Sequence, residues 1–230
     1  MKEGRCKLIF ALDTSDKKKF VSWVDRTKDM VDFYKVGLTA FTALGNEALK
    51  ILHRRKKNIF LDLKFFDIPN TMINASLSAA EQGVDIIDFH LLAGGGHLKD
   101  TVSGIKAVVR EKKLKKPLLI GVTVLTSFRE EDRIRPLVLN LAAAAKGSGL
   151  DGVVSSGREA AAIRRRFGKK FIIISPGIRL KPGGDDQKRV VRPKDVRKDA
   201  DFIVVGRPIY TADKPRQVIA SIMEELKQGK

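Results

Sequence analysis

Short apolar, β-branched runs recur along the chain, each followed by a longer stretch in which apolar residues return every three or four positions. The runs are Leu8–Leu12, Phe33–Gly37, Ile59–Lys64, Ile86–His90, Leu118–Val124, Gly152–Ser155, Phe171–Ser175 and Phe202–Val205, and they predict eight strands. The periodic stretches predict amphipathic helices over Asp16–Met30, Ala40–Arg55, Asn70–Gln82, His97–Lys112, Glu130–Lys146, Arg158–Phe167 and Pro215–Leu226. Strands alternating with helices imply a parallel sheet with crossovers, and eight repeats suggest closure into a (β/α)8 TIM barrel. An open doubly wound sheet would leave the same pattern. The segment Arg179–Lys198 breaks the rhythm with Pro, Gly and charge, and predicts a long loop after the seventh strand. No repeat, low-complexity tract or linker divides the chain, so one catalytic domain over residues 1–230 is the expectation.

Composition leaves this picture intact. With 43% hydrophobic and 31% charged residues among 230, the chain can bury a core. The longest apolar runs, such as Phe171–Ile174 and Phe202–Val205, are far too short for a membrane span, and Asp13 interrupts any signal-peptide pattern. A cytoplasmic location is expected. Cys6 stands alone, which excludes an internal disulfide and a cysteine-based metal site.

The net charge of +18 is the one strong deviation, and on its own it would suggest a polyanion partner or a basic RNA-binding protein on an enzyme scaffold. Its distribution argues against that. Lys17–Lys19, Arg54–Lys57, Lys112–Lys116 and Arg164–Arg166 are scattered over helix-like segments with no aromatic interleaving, as solvated helix faces would be. Neither nucleic acid nor membrane is expected as a partner.

Charge changes the picture at the strand ends. Strands of a parallel barrel are buried on both faces, so charges belong at their C-terminal ends, where active sites of this fold are built. Asp13 follows the first strand, Lys35 lies late in the second, Asp62 and Lys64 end the third, and Arg207 follows the eighth. Alternation places Asp62 and Lys64 on one face and Leu61 and Leu63 on the other, so the charged pair should face the barrel mouth. Asp67 lies beyond, before Pro69 opens a helix. A lone Asp-x-Lys would read as a structural ion pair, but charges at several strand ends favour a site. Pro176, Gly177 and Arg179 after the seventh strand, with Gly206 and Arg207 after the eighth, occupy the region where such barrels bind phosphate. Glycine lets backbone N–H groups approach an anion, and arginine offers it a planar fork.

The run Asp62-Leu63-Lys64-Phe65-Phe66-Asp67-Ile68-Pro69-Asn70-Thr71 closely resembles the signature of the orotidine 5′-phosphate decarboxylase family. Further segments resemble it in the same order: Ala11-Leu12-Asp13, Tyr34-Lys35-Val36-Gly37, Val122-Thr123-Val124-Leu125-Thr126-Ser127, Pro176-Gly177-Ile178-Arg179, Gly184-Asp185-Asp186-Gln187 and Val205-Gly206-Arg207-Pro208. The resemblance implies decarboxylation of orotidine 5′-phosphate to UMP in pyrimidine biosynthesis, with no cofactor and no metal. It implies a charged array of Lys35, Asp62 and Lys64, with Lys64 as proton donor and Asp67 supplied by the other subunit of a homodimer, beside Ile68 and Thr71. It also implies that Asp13 binds the ribose hydroxyls, Thr126 the pyrimidine, and Arg179, Gln187, Gly206 and Arg207 the phosphate end, with Ser127 and Pro176 as further substrate-binding residues and Arg179–Lys198 as a lid.

Two departures from the family pattern stand out. Phe66 takes the place of a common His, and His90-Leu91-Leu92-Ala93-Gly94-Gly95 is one residue longer than usual. His90 itself reads as a hydrogen-bonded strand-end residue rather than a catalyst. The nearest rival is a magnesium-dependent phosphosugar decarboxylase or aldolase of the same barrel group, which shares an Asp-x-Lys-x-x-Asp pattern. No second acidic ligand cluster at a strand end favours that rival.

Overall fold

The computed structural model describes residues 6–125, 131–180 and 190–227. The element order is β1 (Lys7–Leu12), α1 (Lys17–Thr27), β2 (Phe33–Gly37), α2 (Leu38–Leu44), α3 (Asn46–His53), β3 (Asn58–Phe65), α4 (Pro69–Glu81), β4 (Ile86–His90), a 3₁₀ turn (Leu91–Ala93), α5 (Gly95–Glu111), β5 (Leu118–Val122), α6 (Glu131–Gly147), β6 (Gly152–Val154), α7 (Gly157–Phe167), β7 (Ile172–Ser175), α8 (Pro193–Val196), β8 (Phe202–Val205), α9 (Arg207–Tyr210) and α10 (Pro215–Lys227). All neighbouring strands pair in parallel, and β8 returns to β1 through Lys7↔Phe202 to Phe10↔Val205. The sheet is a closed barrel, which excludes the open doubly wound alternative. Among the described residues no helix is long and apolar enough to cross a membrane.

Alternation along the strands divides the apolar residues into two populations. Ile9, Ala11, Phe60, Ile86, Ile120, Ile174, Phe202 and Val204 point inward and form a plug inside the barrel. Residues between them, such as Phe10, Tyr34, Leu61, Ile87 and Ile203, face outward and pack with the apolar stripes of the helices. The plug fixes the depth of the site. Two residues further along their strands, the inward positions are taken by Lys35 after Phe33, Asp62 after Phe60 and Asp88 after Ile86, so a polar layer rests on an apolar floor.

The opposite, N-terminal end of the barrel is closed by a repeated device. Asp85 Oδ2 accepts the Ile59 N–H at 2.9 Å, Asp151 Oδ2 the Leu119 N–H at 2.8 Å, and Asp201 Oδ2 the Ile173 N–H at 2.8 Å. Each carboxylate also meets a cation, Lys115 at 2.5 Å, Lys116 at 2.6 Å and Arg164 at 2.6 Å respectively. An orphan N–H at a strand start is thereby bound to a charged acceptor, and the acceptor is itself neutralised.

Several boundaries differ from the sequence expectation. The helix expected over Ala40–Arg55 is two helices, because Gly45 adopts φ 53°, ψ −140° between α2 and α3, a backbone state open chiefly to glycine. The fifth strand ends at Val122 rather than Val124, the sixth at Val154 and the seventh begins at Ile172. The segment expected to be a structureless loop, Arg179–Lys198, carries an Ile178↔Val191 bridge and the short α8, opened by Pro193. Residues 181–189 of it lie outside the described residues.

Candidate active site

A cavity of about 490 Å³ opens at the C-terminal ends of the strands. Its floor is Ala11, Phe60, Val154 and Val204, the top of the apolar plug. Of the residues singled out in the sequence, Asp13, Lys35, Asp62, Lys64, Pro176, Arg179, Gly206 and Arg207 all line it. They come from five different strand ends, which is how a parallel barrel converges side chains on one point.

At the centre, Asp62 lies between two ammonium groups. Lys35 Nζ is 2.7 Å from Asp62 Oδ2, and Lys64 Nζ contacts Asp62 Oδ1. All three side chains are less than a third exposed, so water screens the pairs weakly. Burial pushes the Asp62 carboxyl toward neutrality, but the Lys35 and Lys64 ammoniums outweigh it and hold the carboxyl well below the usual carboxylate range. Burial alone would lower the Lys64 pKa, yet the Asp62 carboxylate raises it above the ordinary lysine value. Both lysines are thus bound to Asp62, which favours the charged form of Lys64.

Lys64 reaches this position through an irregular strand end. Simple alternation expects a regular β-residue there, but its φ is 52°, in the left-handed region. The β3–β4 pairing moves from Leu61↔Ile87 straight to Phe65↔Phe89, so four steps along β3 match two along β4. Asp62 and Lys64 share the cavity as expected, but the bulge rather than a flat pleat aims the second one. The Lys64 N–H, freed from the ladder, donates to Asp88 Oδ1 at 2.8 Å.

Asp88 was not anticipated as part of this cluster. It is fully buried in β4 beneath the array and does not line the cavity. Burial first, and the adjacent Asp62 charge second, push its carboxyl pKa well above the ordinary range. Its sequence signal was an acid inside the apolar run Ile86–His90, a position where charge is otherwise absent. Val122, Val124 and Leu125, from the family-like segment after β5, also line the cavity, as do Leu38, Ser155 and Tyr210, which carried no sequence signal.

Several expected residues do not meet the array within this chain. Asp67, Ile68 and Thr71 are exposed and do not line the cavity. Asp67 accepts the Ile68 N–H at 2.7 Å, at the start of α4. Thr126, Ser127 and Gln187 lie outside the described residues. His90 Nδ1 accepts the Leu92 N–H at 3.3 Å, and burial together with the Lys64 charge lowers its pKa, so it is a neutral strand-end acceptor. Phe66 packs near it, with ring centroids 5.7 Å apart.

The comparisons with known proteins agree with one another. The family profile OMPdecase, described as Orotidine 5′-phosphate decarboxylase / HUMPS family, matches residues 6–222. A protein of Syntrophus aciditrophicus (strain SB) named orotidine 5′-phosphate decarboxylase is 42% identical over 240 residues, covering 99% of this chain and 96% of its own length. A protein of the same name from Legionella pneumophila (strain Paris) is 41% identical over 231 residues, covering 96% and 99%. The crystal structure of orotidine 5′-phosphate decarboxylase from Lactobacillus acidophilus superposes with a TM-score of 0.81 at 32% identity, covering 97% of this chain and 99% of that one. With a profile spanning nearly the whole chain and relatives of equal length, this chain belongs to the orotidine 5′-phosphate decarboxylase / HUMPS family.

Proposed function

We propose that this chain is a carboxy-lyase that converts orotidine 5′-phosphate to UMP and carbon dioxide, with no metal or organic cofactor. The observation that carries the reading is the Asp62 carboxylate held between Lys35 and Lys64 at the cavity floor. Breaking the bond from C6 to the carboxylate leaves an electron pair in the ring plane, out of conjugation with the π system. A fixed ammonium at that carbon stabilises the pair and then supplies the proton, giving UMP, after which the neutral amine regains a proton from water. Lys64 takes that role because the Asp62 carboxylate it contacts favours its protonated form. The occupied lone pairs of Asp62 weigh against the magnesium-dependent phosphosugar reading, since a divalent cation would have to displace both lysines.

The remaining roles are those that the family resemblance implies. Asp13 holds the ribose hydroxyls, while Thr126 holds the pyrimidine, with Ser127 and Pro176 as further substrate-binding residues. Arg179, Gln187, Gly206 and Arg207 hold the phosphate end, where binding energy remote from C6 closes a water-poor site. The protein acts as a homodimer in which Asp67, Ile68 and Thr71 reach the neighbouring subunit's cavity. Supporting this, Leu38, Phe66, Ile68, Leu92 and Leu125 are exposed apolar residues following β2, β3, β4 and β5 along one side of the mouth.

The test is the absorbance change when EDTA-treated protein is mixed with orotidine 5′-phosphate. Conversion to UMP that Lys64→Ala abolishes is the expected result. A folded wild-type protein that does not turn the nucleotide over would overturn the reading.

A further inference from the structure

We propose that Asp88 is a positioning residue for the Lys35–Asp62–Lys64 array, acting as a neutral carboxylic acid that accepts the Lys64 N–H at one oxygen and donates a proton to Asp62 from the other. The inference rests on the function proposed above for its catalytic consequence, but its structural content stands apart from it.

Four observations converge. Lys64 is in the left-handed region, a state that costs a non-glycine residue about 1–2 kcal/mol and persists only when its surroundings impose it. The bond from its N–H to Asp88 Oδ1, 2.8 Å, replaces the ladder bond that the bulge removes. The second Asp88 oxygen, Oδ2, is fully buried and accepts no hydrogen bond. Asp62 and Asp88 directly follow the paired residues Leu61 and Ile87 of β3 and β4, which makes the two buried carboxyls neighbours. Two neighbouring buried carboxyls repel one another when both are ionised, and Asp62 is held ionised by two lysines, so the proton belongs to Asp88. The raised pKa of Asp88 agrees with this assignment.

One buried acid therefore ties the backbone of Lys64 to the side chain of Asp62. With the proton in place, Asp62 keeps its charge without a like charge behind it, and Lys64 keeps the bulge that aims its ammonium. The groups facing Asp88 are Asp62 and Lys64 on β3, with Lys35 of β2 bound beyond Asp62, and His90 on its own strand. The neighbouring β5, Leu118–Val122, presents no titratable side chain.

The experiment compares the full-length wild type with Asp88→Asn, which keeps one acceptor and one donor, and Asp88→Ala, which keeps neither. Crystal structures are expected to show Lys64 at positive φ and on Asp62 in the Asn variant, and displaced in the Ala variant. Turnover of orotidine 5′-phosphate is expected to fall about 100-fold in kcat for Ala, as for a misplaced reacting group, with little change in KM. For Asn it is expected to stay within about threefold of wild type. Thermal melting reads the proton directly. A folded-state pKa raised above the unfolded value gives stability that is fully present below the unfolded value of 3.8 and lost as pH rises toward the folded one. The wild type should therefore lose melting temperature relative to Asp88→Asn as pH rises from 4 through neutrality. A difference independent of pH, or an Asp88→Ala structure with Lys64 unmoved, would overturn the inference. Absent turnover by the wild type would instead count against the proposed function, leaving the structural and melting comparisons to decide on Asp88.

Discussion

A β-carbon on Gly37 would stand 2.8 Å from the Lys35 Nζ, closer than such atoms approach in folded proteins. Gly37 has φ −95°, so it is present for space and not for backbone freedom. Gly37→Ala should fold normally, because the atom it meets is the end of a flexible side chain. The methyl group would push the Lys35 ammonium away from Asp62, and kcat should fall by about tenfold or more, as for a reacting group misplaced by a fraction of an ångström. Steady-state kinetics with a melting curve checks this: an unchanged melting temperature with reduced kcat is the expected pair.

The carboxylates at the other end of the barrel predict the opposite pattern. Asp201 Oδ2 accepts the Ile173 N–H and the Arg164 guanidinium, and its side chain is about one quarter exposed (27%). Asp201→Ala leaves a strand N–H and a guanidinium without this acceptor, which should destabilise the fold by about 1.5–3 kcal/mol. The site lies at the far end of the strands, so kcat and KM should not move. Chemical denaturation alongside the activity assay separates the two effects.

Most of the barrel was legible because parallel strands buried on both faces stand out as apolar runs, and the charges that interrupt them mark the mouth. Asp62 and Lys64 fell on one face of their strand, and their neighbours Leu61 and Leu63 on the other. What escaped depended on backbone geometry that residue type does not encode. The positive φ of Lys64 and the bulge around it arise from pairing with β4, so Asp88, which satisfies the freed N–H, had no visible partner in the sequence. The break at Gly45 was hidden because the apolar periodicity continues across it from Phe41 to Leu49. Asp67, Ile68 and Thr71 sit outside the cavity of their own chain, so nothing within one chain tests the role the resemblance implies for them.

Cys6 tests how firmly β1 is held in the barrel. Burial, reinforced by the nearby Asp201 charge, pushes its thiol up to about 12. The thiolate is the reactive form, so native protein at pH 8 should resist N-ethylmaleimide, while protein in denaturant should label fully. Labelling followed by mass spectrometry measures this. Fast labelling of the native state would mean that the start of β1 opens readily.

The proposed sharing of Asp67 between two subunits can be tested by complementation. In one chain Asp67 is exposed and bound to the Ile68 N–H, apart from Lys64 in the cavity. If it serves the partner's cavity, Asp67→Ala and Lys64→Ala are each inactive alone but complement one another. In a hybrid dimer, one cavity receives both defects and the other receives an intact Lys64 with an intact Asp67 from across the interface. Random exchange of equal amounts makes half the dimers hybrid, so activity should recover to roughly one quarter of wild type. If Asp67 serves its own chain, every cavity in the hybrid lacks one residue and mixing restores nothing. Replacing the exposed apolar Leu92 by Asp should prevent complementation, because a charge on that rim would keep the subunits apart. Sedimentation of the same variant would then show monomer where the wild type shows dimer.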